Sequence, residues 1–301
     1  MRGFHASLVL LVMTASAVLV AQPVTFRSGI DLTTFGVTIV DRKGELIGDL
    51  AKDDFEIVED GTKQTVQYFA KGDGESAPEL HLGLLLDASG SMEQDLKLAR
   101  SAAIKFFNML PEAADITLVD FDTVVRITRY PQRDFARLVE RIRLRKADGY
   151  TALYDAIGTY LDGAEQQTGR KIMVMYTDGG DTRSALSFNE TLTLLKASQV
   201  TVYAIGLVEN TGSARMDLKM KLQQLSETTG GQAFFPTQMK DVESTYEKVL
   251  DEIRAQYHLG YLSTNTSTDG AWRKVEIKLK RPDLKLRTRK GYFGPYKPSS
   301  P

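Results

Sequence analysis

Asp87-Ala88-Ser89-Gly90-Ser91 follows directly on the apolar run Leu82-Gly83-Leu84-Leu85-Leu86, so one carboxylate and two hydroxyls fall in the turn leaving a buried strand. Downstream, Thr151 sits in a Gly149-Tyr150-Thr151 turn and Asp178 in Thr177-Asp178-Gly179, again just past an apolar strand. Carboxylate and hydroxyl oxygens without Cys or His are hard ligands, suited to Mg²⁺, Mn²⁺ or Ca²⁺ rather than zinc or copper. Two aspartates holding such an ion directly would largely neutralise it. Hydroxyls against the ion leave it electrophilic and in want of an outside anion. Helix capping also explains Asp and Ser ahead of an amphipathic helix, because both satisfy orphan amides. Capping alone does not call for Thr151 and Asp178.

These residues need strands that end together. Leu82–Leu86, Ile116–Phe121, Ile172–Tyr176 and Val200–Ile205 are apolar without alternation, the pattern of strands buried on both faces of a sheet. Between and after them, Leu96, Ala99, Ala103, Phe106, Phe107 and Leu110 recur at helical spacing, as do Val242, Thr245, Tyr246, Val249, Leu250 and Ile253. Strands alternating with helices predict an α/β, doubly wound, mainly parallel sheet with helices on both faces. Ligands bind beyond the carboxyl ends of such strands, where Asp87 and Asp178 both fall.

Short β segments flank this region. On the amino-terminal side they are Thr34–Val40, Phe55–Val58 and Gln64–Phe69, with the hairpin cue Glu59-Asp60-Gly61 between the last two. On the carboxyl side they are Tyr257–Leu262, Trp272–Leu279 and Leu284–Arg289. About three strands alone are marginal for independent stability. The two flanks are therefore expected to pair into one small β-sandwich, with the α/β domain inserted between them; two separate β modules are the alternative. The expected boundaries are 28–75 and 256–294 for the two parts of the sandwich, 79–255 for the α/β domain and 295–301 for a tail.

The 301 residues are 42% hydrophobic and 26% charged with a formal net charge of -1, a globular balance that argues against nucleic-acid binding. Arg2, the apolar run Leu8–Met13 and Ala15-Ser16-Ala17 read as an export signal over residues 1–21, cleaved after Ala21 or after Ala17. The run falls short of the ~20 residues a spanning helix needs. The expected product is periplasmic or extracellular, with no integral membrane segment after cleavage. There is no cysteine, hence no disulfide framework and no thiolate metal site.

The three loops together resemble the von Willebrand factor A domain and its metal-ion-dependent adhesion site, over roughly Glu79 to Ala255. Asp87, Ser89 and Ser91 match the first loop of that site, Thr151 the second and Asp178 the third. The resemblance implies that Ser89, Ser91 and Thr151 bind the divalent ion directly, that Asp87 and Asp178 hold it mainly through waters, and that the open position takes a Glu or Asp carboxylate of a partner protein. Integrin-like members add a neighbouring acidic site; here Gln94 and Asp95 stand where two acids are typical. Val40-Asp41-Arg42-Lys43-Gly44, Glu59-Asp60-Gly61, Gly230-Gly231 through Pro236 and the closing Arg289-Lys290-Gly291-Tyr292-Phe293 are similar to exported bacterial proteins with VWFA-related, acidobacterial-type domains.

No HExxH, GxSxG or P-loop motif occurs, and no catalytic residue is assigned. The leading expectation is a non-enzymatic, exported binding protein that presents Mg²⁺, or Mn²⁺ or Ca²⁺, to an acidic side chain. An assembly or chaperone factor for an envelope complex, or a metal-assisted enzyme, are the alternatives. Asp181 is expected to be a solvated turn residue, and Asp122 and Asp148 take no role. His81 and His258 are expected to pack or to make a surface hydrogen bond. Lys278, Lys280, Lys285, Arg287 and Arg289 read as the wet face of a strand, and Tyr150 either shapes the ligand surface or packs.

Overall fold

A computed structural model of the chain describes residues 32–297 except 73, 75, 179 and 208–212; the export signal expected at 1–21 lies outside the described residues. Four short strands come first: β1 (Thr33–Val40), β2 (Phe55–Glu59), β3 (Thr62–Gln64) and β4 (Tyr68–Lys71). The α/β run follows with β5 (Leu80–Asp87), α1 (Leu96–Asn108), β6 (Ala113–Phe121), β7 (Val125–Pro131), α2 (Phe135–Leu144), α3 (Leu153–Glu165) and β8 (Arg170–Thr177). It continues through α4 (Phe188–Ala197), β9 (Val200–Gly206), α5 (Ser213–Thr228), β10 (Gln232–Phe234) and α6 (Val242–Ala255). β11 (Tyr257–Tyr261), β12 (Trp272–Leu279), β13 (Lys285–Arg287) and β14 (Gly291–Phe293) close the chain.

The central sheet has the order β10-β9-β8-β5-β6-β7, parallel except for the β6–β7 hairpin. Its apolar strands divide their side chains residue by residue between two cores. Leu84, Leu118, Val174 and Ile205 pack with Phe106 of α1 and Tyr246, Val249 and Ile253 of α6. Leu85, Val119, Met173 and Val202 face the other way, onto Ile157 and Tyr160 of α3 and Leu222 of α5. With both sides buried, the strands show no alternation in sequence.

The outer strands form two further sheets, ordered β13-β1-β11-β4 and β14-β12-β2-β3. Each pairs segments from both ends of the chain, β1 with β11 and β2 with β12. They share one core in which Phe35, Val37, Ile57, Tyr257, Leu259 and Val275 meet. The α/β domain is thus inserted in a sandwich made jointly by its flanks. One expectation changes: Gln64–Phe69 is not a single strand. Gln64 ends β3 in one sheet, Tyr68 begins β4 in the other, and Val66 is buried between them. Alternation persisted through the crossing because Gln64 and Val66 both turn inward.

Gln256 alone separates α6 from β11, so the last helix runs straight into the sandwich. Arg287 Nη2 lies 2.7 Å from Glu252 Oε2 on α6 and also reaches Gln232 of β10. Arg289 donates to Thr34 O at 2.8 Å and lies over the Phe35 ring, and burial holds its guanidinium down to about 10. Lys278, Lys280 and Lys285 are solvent-exposed as expected, whereas Arg287 and Arg289 are not on the wet face. Gly230 ties the loop after α5 to the segment between β13 and β14. At φ +84 it lies so close to Thr288 that a Cβ would stand 2.6 Å from its backbone.

His258, on β11, is buried, and its Nε2 has no hydrogen-bond partner among the described residues. Burial, then the charge of Arg170, pushes its pKa down to about 3. The folded state therefore refuses a proton that the unfolded chain accepts below about pH 6.5. Stability is expected to fall as pH drops from 6.5 towards 3, by up to about 1.4 kcal/mol per unit from this residue. Urea unfolding of the wild type and of His258→Leu across that range checks this; equal slopes would refute it.

Candidate metal centre

The sheet order changes direction at β5. Its neighbours β6 and β8 lie on opposite sides, so the crevice between the carboxyl ends of β5 and β8 is a topological switch point. Asp87 ends β5, and Thr177, which ends β8, donates from Oγ1 to Asp87 Oδ2 at 2.6 Å. Asp87 Oδ1 accepts from the Ser89 amide at 2.9 Å, which turns the chain back over the strand end. Ser89 Oγ stands 3.1 Å from Ser91 Oγ, and Ser91 Oγ donates to Asp178 Oδ1 at 2.8 Å.

Capping does not consume these hydroxyls. Ser89 precedes a 3-10 turn over Gly90–Glu93, and Asp95 precedes α1, yet neither side chain bonds a helix amide there. The serines of the first loop are instead directed at each other and at the third loop.

Thr151 is joined to the others through backbone. Gly90 N donates to Gly149 O at 3.0 Å and Asp148 N to Ala88 O at 2.9 Å, clamping the second loop to the first. Thr182 N and Arg183 N donate to Thr151 O at 2.9 and 3.1 Å, and Thr151 N donates to Thr182 Oγ1 at 3.0 Å, clamping it to the third. Gly149 makes the turn at φ +71, and a Cβ there would lie 2.3 Å from Thr123 Oγ1. The structure therefore links Asp87, Ser89, Ser91 and Asp178 by side-chain contacts and brings Thr151 beside them on a doubly anchored loop.

Sequence reasoning assigned no role to the acids that brace the second loop. Asp122 is buried; its carboxylate accepts from Val124 N at 2.7 Å and pairs with Arg126 and Arg145, while its carbonyl accepts Ala152 N at 3.0 Å. Burial raises the Asp122 carboxyl, but the Val124 amide and Arg145 together outweigh it and hold the pKa below the ordinary value. Asp120 takes Arg141 at 2.8 Å and Arg145 at 2.9 Å. The arginine-rich stretch Arg141–Arg145 ahead of the turn was the available signal. Asp181 is half-exposed beside an open pocket, and its carboxylate also accepts from Tyr154 N and Ser184 N. Asp148 enters through its amide alone in the bond to Ala88.

Asp87 is fully buried; burial first, with the Asp178 carboxylate adding to it, pushes its pKa up to about 6 against the hydrogen bonds from Ser89 and Thr177. Among the described residues no group of three or more His, Cys, Asp or Glu could hold a metal, so any ion here depends on hydroxyls. Such a donor set fits a hard divalent cation. The centre opens into a cleft of about 400 Å³ bordered by Ser91, Glu93, Asp95, Asp178 and Leu207. Tyr150, 66% exposed, stands free beside Thr151 rather than packing.

The histidines lie elsewhere. His81 is the second residue of β5, at the opposite end from Asp87, its Nδ1 3.1 Å from Asp115 and its Nε2 2.7 Å from Thr168 O. His258 belongs to the sandwich.

The von Willebrand factor type A domain profile matches residues 81–271. No curated protein sequence matches the chain. Among solved structures, a von Willebrand factor type A protein from Catenulispora acidiphila aligns with a TM-score of 0.52 at 11% identity, covering 82% of this chain and 76% of that one. The pilus adhesin SpaC from Lactobacillus rhamnosus GG, in an open conformation, aligns with a TM-score of 0.51 at 10% identity over 83% of this chain. The match spans 48% of the SpaC chain. At these identities the likeness is one of fold.

Proposed function

The chain belongs to the von Willebrand factor type A domain family, and from that premise we propose that it is an exported, non-enzymatic adhesion module that captures an acidic side chain of a partner protein through a divalent cation. The single observation that carries this reading is the Ser89, Ser91 and Asp178 cluster, in which the buried Ser89 caps no helix and Ser91 and Asp178 border an open cleft. Ser89, Ser91 and Thr151 would hold the ion through their hydroxyls, with Asp87 and Asp178 behind them. A bound Mg²⁺ supplies a positive, exchangeable coordination position that a Glu or Asp carboxylate fills.

The chain's own residues do the rest. The two backbone clamps tie the loop of Thr151 to the first and third loops, which supports a donor set assembled before a ligand arrives. Asp87, buried against Thr177, would supply negative charge to a cation held there. Tyr150 offers an apolar surface at the rim for whatever flanks the ligand carboxylate.

Pull-down from an exported protein fraction with immobilised wild type, run in Mg²⁺ and in EDTA, tests the reading. Specific capture is expected in Mg²⁺ only, and Thr151→Ala is expected to lose it while keeping its circular dichroism spectrum. Capture that survives both EDTA and Thr151→Ala would sink the proposal.

A further inference from the structure

The outer face of α1 carries a groove that the metal centre does not use. It has a volume of about 740 Å³ and a cationic rim of Lys97, Arg100, Lys105 and Arg143 above a floor that includes Ile104 and Met109. Lys105 is paired with Glu243. Arg100 spends its Nε on Leu96 O and Nη1 on Arg143 O, which ties the end of α2 to α1 and fixes the groove's width. Lys97 and Arg143 are exposed, and among the described residues neither has a carboxylate partner. From Lys97 to Met109 the groove runs about 18 Å along the helix at 1.5 Å per residue.

We propose that this groove is a second, metal-independent docking surface for an acidic, amphipathic peptide segment of a partner protein. The rim asks for carboxylates, and the partly buried Ile104 and Met109 ask for an aliphatic side chain between them. No aromatic ring lines the groove, so it lacks the stacking face that a sugar chain would use. Residues 1–31 carry Arg2 and Arg27 against Asp31, and 298–301 carry no acid, so neither stretch has the acidic character that the rim asks for. Exposed ion pairs contribute little singly, so the apolar floor must add to them, which is why a purely acidic chain is a poorer fit than an amphipathic one.

Fluorescence anisotropy with a labelled peptide of alternating Glu and Leu, in EDTA and on both wild type and Thr151→Ala, tests this apart from the metal centre. Both proteins are expected to bind it, more weakly as salt rises. Lys97→Glu with Arg143→Glu, both exposed substitutions, is expected to weaken binding roughly tenfold or more, from two reversed charges at the rim. A poly-Glu peptide is expected to bind less well than the Glu/Leu peptide. Equal binding by the charge-reversed protein overturns the proposal, as does a preference for heparin over the Glu/Leu peptide. Wild-type self-association that Arg143→Glu abolishes would give the groove to a second copy and overturn it too.

Discussion

Glu59→Ala is expected to melt roughly 10 °C below the wild type, from a loss of about 3–5 kcal/mol. Glu59 is 1% exposed at the end of β2 and holds the two sheets of the sandwich together. Its Oε2 accepts from Tyr261 at 2.6 Å in the facing sheet and from Tyr292 at 2.8 Å in its own, and its Oε1 accepts from Ser263 at 2.5 Å. Arg273, 3% exposed, lies 3.8 Å away and donates to the carbonyls of Asn265 and Ser267, fixing the turn between β11 and β12. Removing the carboxylate alone leaves a buried guanidinium without its counter-charge and two tyrosine hydroxyls short of an acceptor. Replacing both members, Glu59→Leu with Arg273→Met, is expected to recover part of the loss, because the desolvation cost disappears with the charges. Differential scanning calorimetry of the three proteins decides it; a Glu59→Ala protein within 2 °C of wild type, a threshold of about 1 kcal/mol, would show that the network contributes little.

Asp87→Asn is expected to do the opposite in the absence of metal. A buried carboxyl with its pKa raised to about 6, against an unfolded value near 3.8, lowers stability as pH rises through that window. At neutral pH the full cost is present, about 2–3 kcal/mol for a shift of this size. Asn is nearly isosteric and keeps an acceptor for the Ser89 amide, so in EDTA the variant should melt on the order of 5 °C above wild type. On adding Mg²⁺ the order should reverse in sensitivity. Wild type gains about 2.7 kcal/mol once the ion reaches a hundred times its dissociation constant, while Asp87→Asn gains little. A variant less stable than wild type in EDTA, or one that still responds fully to Mg²⁺, would contradict this. If the expected pattern is observed, the site exchanges apo stability for affinity, since the charge that strains the metal-free fold is the one that would balance a cation.

The parts of this fold that could be read from residues are those with a local cause. Leu82–Leu86 and Ile172–Tyr176 announced themselves because burial on both faces suppresses alternation, and the Asp87 turn because its donors sit within five residues of one another. Remote partners hid the rest. β7 and β10 lie at the two edges of the central sheet and carry weaker apolar patterns than the strands inside it. Arg287 and Arg289 look like solvent-facing alternation until Glu252 and Phe35, far away in sequence, fold beneath them. Glu59 looked like the first residue of a tight turn, although its inward parity with Phe55 and Ile57 was a visible hint. Asp122 needed Arg145, on the far side of α2, before its purpose could be seen.

The pairing of β1 with β11 and of β2 with β12 also decides where a mechanical load would travel. A pull on the segments before β1 and after β14 is borne by the sandwich ladders, because both points of attachment lie in those sheets. The inserted domain joins the sandwich covalently between β4 and β5 and at Gln256, and through Arg287 to Glu252 and Gln232. Tension through the chain would therefore be taken up in strand shear, leaving the loops that carry Asp87, Thr151 and Asp178 unloaded until the sandwich itself begins to part.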